Sequence, residues 1–272
     1  AVTKLDNSQK VISEKIDPQK GIVSKIAGAW ALDHQPNFGD YIILGNADPE
    51  YIRNNLDVYK ELDIDQLDFH QGPDSFRQGD FAYMKGKSNT EFREKVTDLL
   101  KENGMMAALH TYSYYITVGC HELLSNPEVQ KMLDREEEFT LADDISAEDM
   151  FIPSVEPTDG LSKVYGFFVK NLPFCLIGEE IIRYRNHPHG FTVLERGVGG
   201  TKPAAHKKGD RIYHLIGCFG LFSPEPGPQL FKDVGRYTAE AYNEGGFDMI
   251  YLDALDGIDR HCKDEDCWYY CA

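Results

Sequence analysis

The feature that most constrains this chain is an alternation that begins at Asp40. Short apolar runs are each followed by a stretch whose apolar residues recur at helical spacing. Tyr41-Ile-Ile-Leu-Gly45 has the pattern of a buried strand. Asp48-Pro49-Glu50 then supplies a cap and a first-turn proline, and Ile52, Leu56, Tyr59 and Leu62 follow on one helical face. Leu67-Asp-Phe-His-Gln-Gly72 is the next strand. A helix from about Thr90 places Phe92, Val96, Leu99 and Leu100 together, and Gly104 closes it in a left-handed cap. Met105 to Tyr112 reads as a third strand. Asn126-Pro127 starts another helix, with Val129, Met132 and Leu133 on its apolar face.

The rhythm breaks over residues 150–210, where short strand-like runs are separated by turn residues such as Asn171, Pro173, Asn186, Pro188 and Gly190. This reads as a small antiparallel β module inserted into the alternation. The alternation resumes at Arg211-Ile-Tyr-His-Leu-Ile-Gly217, continues through a helix over about Gln229 to Glu244, and returns to a strand at Phe247-Asp-Met-Ile-Tyr-Leu-Asp253. The expected organisation is therefore a lead-in or the end of a preceding module at 1–38, the first part of a (β/α) barrel at 39–149, the inserted module at 150–210 and the continuation of the barrel at 211–272.

Strands spaced by helices imply parallel pairing with right-handed crossovers, either in an open doubly wound sheet or in a barrel. No phosphate-binding glycine-rich turn follows the first strand, which disfavours the open dinucleotide-binding sheet. Long polar and aromatic segments after the strands favour the α/β class with a TIM-type barrel. Such a barrel needs eight units and five are legible, so the barrel expected of these 272 residues is incomplete, with further domains of a longer chain as the natural complement.

Charge narrows the partners. The chain carries 28 basic and 45 acidic residues, a formal charge of −17, which opposes binding to nucleic acid. The one basic cluster is Lys202, His206, Lys207, Lys208 and Arg211. No apolar run is long enough for a transmembrane helix, so no membrane insertion is expected. Six cysteines in a chain of this length do not form a disulfide-scaffold pattern, and Cys120, Cys175 and Cys218 read as small buried hydrophobes. His261, Cys262, Cys267 and Cys271 lie close together but match no standard zinc spacing. Asp253, Asp256 and Asp259 lack an established calcium-loop spacing. No cofactor and no metal is therefore expected.

The segment richest in chemistry is Phe247-Asp-Met-Ile-Tyr-Leu-Asp-Ala-Leu-Asp-Gly-Ile-Asp-Arg-His261. An apolar strand runs into Asp253 and Asp256 at the end where parallel α/β folds carry their sites. An acid inside an apolar run must face the rim or be paired. Asp256, before Gly257, fits a turn cap equally well. Arg260 nearby can hold a carboxylate or substrate by charge. The other strand ends bring His70 and Gln71, His110 and Tyr112, and His214 towards the same rim. Each histidine alone also fits a satisfied interior position. Polar groups interleaved with aromatic faces suit sugars, which present hydroxyls at the edge and C–H surfaces above and below. In the insertion, Glu195 beside Arg196 reads most simply as a structural ion pair, and Glu195 could also reach over a barrel mouth as a substrate-binding or acid residue.

Tyr242-Asn-Glu-Gly-Gly246 followed by Phe247-Asp-Met-Ile-Tyr-Leu-Asp-Ala-Leu-Asp-Gly257 resembles the helix, Gly, Phe-Asp, strand, Asp-Gly passages of TIM-barrel glycoside hydrolases, the alpha-galactosidase-like (melibiase-type) barrels above all. The likeness covers about residues 226–260 in motif and the earlier units in rhythm only. It implies a sugar substrate and Asp253 as nucleophile, with a second acid on another strand. The expected activity is glycosidic-bond hydrolysis of an oligo- or polysaccharide by a carboxylate pair. Asp253 is the candidate nucleophile or base, and Asp256, Glu195 and Glu180 are candidates for the acid in that order. His70, Gln71, His110, Tyr112, His214 and Arg260 would bind substrate. The alternatives are a polysaccharide lyase with a Tyr112 or His110 base and a non-catalytic sugar-binding module whose strand-end acids pair with arginines.

Overall fold

The computed structural model describes residues 40–159, 161, 172–225 and 227–254, preceded by a two-strand antiparallel ladder of β1 (Lys25–Ile26) and β2 (Ala29–Trp30). Asp256, Asp259, Arg260, His261, Cys262, Cys267 and Cys271 lie outside the described residues. So do most of the amphipathic stretch near Val11 and the strand-like run at 164–169.

The first units follow the alternation. β3 (Asp40–Asn46) leads into α1 (Pro49–Glu61), whose start is fixed by the Asp48 carboxylate accepting from the backbone N–H of Glu50 and Tyr51 at 2.9 Å. Ile52, Leu56 and Tyr59 are buried, while Leu62 falls just past the helix and is 60% exposed. β4 (Ile64–Asp74) pairs parallel to β3. α2 runs Asn89–Phe92, widens through a π turn at Arg93–Thr97 and ends as Asp98–Glu102. β5 (Met106–Thr111) pairs parallel to β4.

A single turn, α3 (His121–Leu124), follows, and the helix expected from Asn126 starts there but is itself only one turn, α4 (Pro127–Gln130). The chain then enters an antiparallel sheet through β6 (Arg135–Thr140), followed by β7 (Phe151–Pro153), β8 (Phe174–Ile177), β9 (Glu180–His187), β10 (Gly190–Glu195) and β11 (Arg211–Leu215). The strand order is β6-β11-β8-β9-β10-β7. The antiparallel sheet thus reaches beyond 150–210 at both ends. β11, expected among the parallel strands, pairs antiparallel with β6 and β8. Its apolar run suits either sheet; its neighbours, an acidic edge strand and a four-residue apolar strand, decide the outcome. One sheet face closes a core of its own around Phe139, Ile152, Ile182, Tyr184, Phe191 and Ile212. Phe174, Leu176 and Ile181 point the other way and join the main core.

A tight hairpin of β12 (Gly217–Cys218) and β13 (Leu221–Phe222) follows. A Cβ on Gly217 would lie 1.8 Å from the Leu221 carbonyl oxygen, so only glycine fits there. α5 (Gln229–Gly245) ends at left-handed Gly246, and β14 (Met249–Leu252) pairs parallel to β5. The parallel sheet has the order β3-β4-β5-β14. The described residues are therefore mixed α/β, with a four-stranded parallel sheet, a six-stranded antiparallel sheet and two two-stranded ladders, and they form no closed barrel.

Leu44, Leu67, Phe69, Ala107 and Leu109 point from the parallel sheet into the core shared with the helices. Phe92 sits at its centre, 4.9 Å from Phe76 and 5.1 Å from both Phe69 and Phe247 between ring centroids. Such pairs add about 0.5–1.5 kcal/mol each beyond their buried area. The Thr97 hydroxyl at the π turn donates to the Gly245 carbonyl at 2.6 Å and ties α2 to the end of α5. Because strand side chains alternate, the opposite sheet face carries Asp68, His70, His110, Tyr251 and Asp253.

Candidate active site at the strand ends

His110 is the centre of this face. In register it lies between His70 on β4 and Tyr251 on β14, with ring centroids 4.6 and 4.5 Å away. Two residues before His70 is Asp68, and two residues after Tyr251 is Asp253, so the three groups form a diagonal across three strands. Asp68 Oδ2 stands 3.5 Å from His110 Nδ1, and Asp253 Oδ2 stands 3.3 Å from Nε2. The first contact is too long for a well-formed hydrogen bond. Both His110 Nδ1 and Asp68 Oδ1 are buried without another hydrogen-bond partner.

Exposure divides the roles. The side chains of Asp68 and His110 are 1% and 4% exposed, whereas Asp253 is 44% exposed. Only Asp253 of the three can touch a bound molecule. Burial pulls the His110 imidazole towards its neutral form, but the Asp68 and Asp253 carboxylates outweigh it and raise its pKa above the ordinary histidine value. Burial and the nearby Asp253 charge raise the Tyr112 phenol.

The backbone around Asp253 is held tightly. Its N–H donates to the Thr111 carbonyl at 2.9 Å, its carbonyl accepts from the Ser113 hydroxyl at 2.6 Å, and its Oδ1 accepts from the Ala254 N–H at 2.7 Å. Ser113 and Ala254 both adopt left-handed conformations, with φ of 46° and 62°. Phe219 does so too, at φ 57° on the tip of the β12–β13 hairpin, where it lies 5.6 Å from the Tyr112 ring. Two non-glycine residues in this conformation bonded to Asp253, with a third against Tyr112, mark a locally strained site. Buried Gln78 fixes the loop after β5: its Nε2 donates to the Tyr115 carbonyl at 2.7 Å and its Oε1 accepts from the Tyr112 N–H at 2.9 Å. Beside it, a pocket of about 270 Å³ opens among Gln71, Pro73, Arg77, Met84, Thr117 and Val118. The Arg77 guanidinium is committed to Asp80.

His70, His110, Tyr112 and Asp253 are thus brought together, and Gln71 lines the adjoining pocket. The remaining expected residues are placed elsewhere or undescribed. His214 lies on β11 in the antiparallel sheet, buried, with Nδ1 2.7 Å from the Tyr184 hydroxyl; its strand never reaches the parallel sheet. Glu195 is exposed on β10 and pairs across the strand with Arg183 in register. The expected Glu195–Arg196 pair is absent, because Arg196 turns to Glu180. Glu180, 1% exposed, accepts from Arg196 Nε and Nη2 at 2.7 and 2.8 Å, from His206 Nε2 at 2.9 Å, and from the Gly197 and Ala204 N–H groups at 3.1 Å. Burial alone would raise its pKa, but these donors lower it to about 2, which suits a structural anchor rather than a catalytic acid. The basic cluster dissolves likewise: His206 is buried on Glu180, Lys207 pairs with Asp144 and Arg211 with Glu138. Cys120, Cys175 and Cys218 are buried.

Asp68 is a site residue beyond those expected from the sequence. Its signal in the sequence is the same as that of Asp253, an acid inside an apolar strand. Among the described residues no group of three or more His, Cys, Asp or Glu side chains has metal-binding geometry, and no helix is long and apolar enough to cross a membrane. No protein-family model matches the chain, and no curated protein matches it.

Proposed function

We propose that the protein is a carbohydrate-active enzyme that hydrolyses glycosidic bonds, with Asp253 as the carboxylate at the reacting centre. The observation that carries this reading is the exposure of Asp253 at the sheet edge while its partner His110 is buried and backed by Asp68. Tyr112, Tyr251 and Phe219 supply aromatic faces around it, and His70 and Gln71 supply polar contacts. Asp256 remains the first candidate for the second carboxyl group. A separation from Asp253 of about 5 Å predicts retention, and one of about 6.5–9.5 Å predicts inversion. The lyase reading is weaker, because the His110 side chain is 4% exposed and out of reach of a substrate, while burial and the Asp253 charge keep the Tyr112 phenol protonated. The binding-module reading expects arginine on the strand-end acid, whereas Asp253 meets a histidine.

The sequential parallel order β3-β4-β5-β14, with helices on one face, is the order of consecutive units in a TIM-type barrel. We read the sheet as part of such a barrel of the melibiase-type glycoside hydrolase class. Hydrogen exchange on the natural protein checks this: protection of the outward amides of both β3 and β14 is expected, and fast exchange at either edge overturns the barrel. For the activity, the protein is incubated with a panel of neutral and uronate-containing oligo- and polysaccharides. New reducing ends without ultraviolet absorption near 235 nm, roughly the band of an unsaturated product and silent for a general acid–base hydrolysis, are the expected result. An absorbing product would favour the lyase, and no cleavage would overturn both.

A further inference from the structure

We propose that Asp68 and His110 form a positioning dyad, in which the buried Asp68 keeps a proton on His110 Nδ1 and the doubly protonated ring points Nε2–H at Asp253, fixing that carboxylate's orientation. The inference rests on the reading of Asp253 as the reacting carboxylate. Its basis is the geometry. A neutral ring protonated on Nδ1 would turn a bare Nε2 lone pair on the Asp253 oxygen 3.3 Å away. A neutral ring protonated on Nε2 would do the same to Asp68, 3.5 Å from Nδ1 and only 1% exposed. Only the imidazolium satisfies both carboxylates. When it loses a proton, the one facing exposed Asp253 is the one to leave, since Asp253 can turn to solvent and Asp68 cannot.

The titratable groups facing His110 are Asp68 and His70 from β4, Tyr251 and Asp253 from β14, and Tyr112 from the end of its own strand. The two carboxylates supply the charge that keeps it protonated. Asp253 is thus held in one orientation below the His110 transition and released above it.

The test is side-chain NMR of His110 in the full chain, with the pH profile of kcat/KM as its functional counterpart. In wild type above the transition, the neutral ring should carry its proton on Nδ1; the Nε2–H tautomer would overturn the dyad without any mutation. In Asp68→Asn the His110 midpoint should fall by about one pH unit or more, the effect expected when an opposite charge within reach is removed. The alkaline limb of kcat/KM should move down by the same amount. A merely structural Asp68 would leave both midpoints in place. If wild type hydrolyses glycosides, Asp253 proves essential, and the Asp68→Asn profile is unmoved, the dyad fails and the glycosidase stands. If the NMR shifts appear and no glycoside is cleaved, the functional reading fails instead.

Discussion

Glu180 offers the sharpest separation between a structural and a catalytic acid. Replacing it with Gln keeps the size of the side chain and removes the charge on which Arg196 and His206 converge. Two routes give the cost. The fall of its pKa from 4.5 to about 2 corresponds to about 3 kcal/mol of stability at neutral pH. Breaking a buried ion pair from one side costs about 3–5 kcal/mol, because Arg196 would be left 7% exposed without its carboxylate. For a chain of this size, about 3 kcal/mol lowers Tm by roughly 6–12 °C. The sign of the pH dependence follows from the depressed value. The stabilisation is complete above about pH 4.5 and is lost as pH falls towards 2, where wild type takes up the proton. Thermal and urea unfolding of wild type and Glu180→Gln should therefore differ strongly at pH 7 and converge near pH 2. A gap under about 1 kcal/mol at pH 7, or one that persists unchanged in acid, would refute the reasoning. Loss of hydrolysis at unchanged Tm would restore Glu180 as a catalytic acid.

Three further outcomes are expected. Gly217→Ala should destabilise the chain by more than about 2 kcal/mol in urea unfolding, because its Cβ would overlap the Leu221 carbonyl oxygen and shift the hairpin that carries Phe219; a neutral effect would contradict the hairpin geometry. Asp48→Ala should cost about 1 kcal/mol through loss of the α1 cap, whereas Asp48→Asn should cost much less; equal losses would point to charge rather than capping. The raised His110 pKa means that its protonation stabilises the fold fully below about pH 6.5, and that this contribution is lost as pH rises through the folded-state value. His110→Gln should flatten that part of the stability profile, and an unchanged slope would place the titration elsewhere.

The parallel units were legible because their signals are local. Asp48 and Pro49 fix the start of α1, Gly104 and Gly246 take positive φ after helices, and Leu67 and Phe69 alternate with polar neighbours that turn out to face the site. The antiparallel sheet was harder to bound. β6 is an edge strand of sequence Arg-Glu-Glu-Glu-Phe-Thr with only Phe139 buried, so its hydrophobic pattern is nearly silent. β11 could not be assigned from its own residues, since an apolar run reads alike in either sheet, and His214 was misplaced with it. Asp253 and His110 were visible as polar groups closing apolar strands. Their contact is a matter of register between β5 and β14, segments separated by more than a hundred residues, and no local pattern encodes it. Glu180 illustrates the converse: an acid at the start of a strand says nothing of the five donors that surround it.

The central claim is that Asp253 performs the chemistry while the groups behind it only hold it. The most direct measurement is kcat/KM of Asp253→Asn against wild type, on the glycoside that the panel identifies, with Tm recorded for both proteins. A loss of at least about a thousandfold is expected, on the order of 4 kcal/mol of transition-state stabilisation, with Tm within a few degrees of wild type because the side chain is 44% exposed. Near-normal turnover by Asp253→Asn would contradict it.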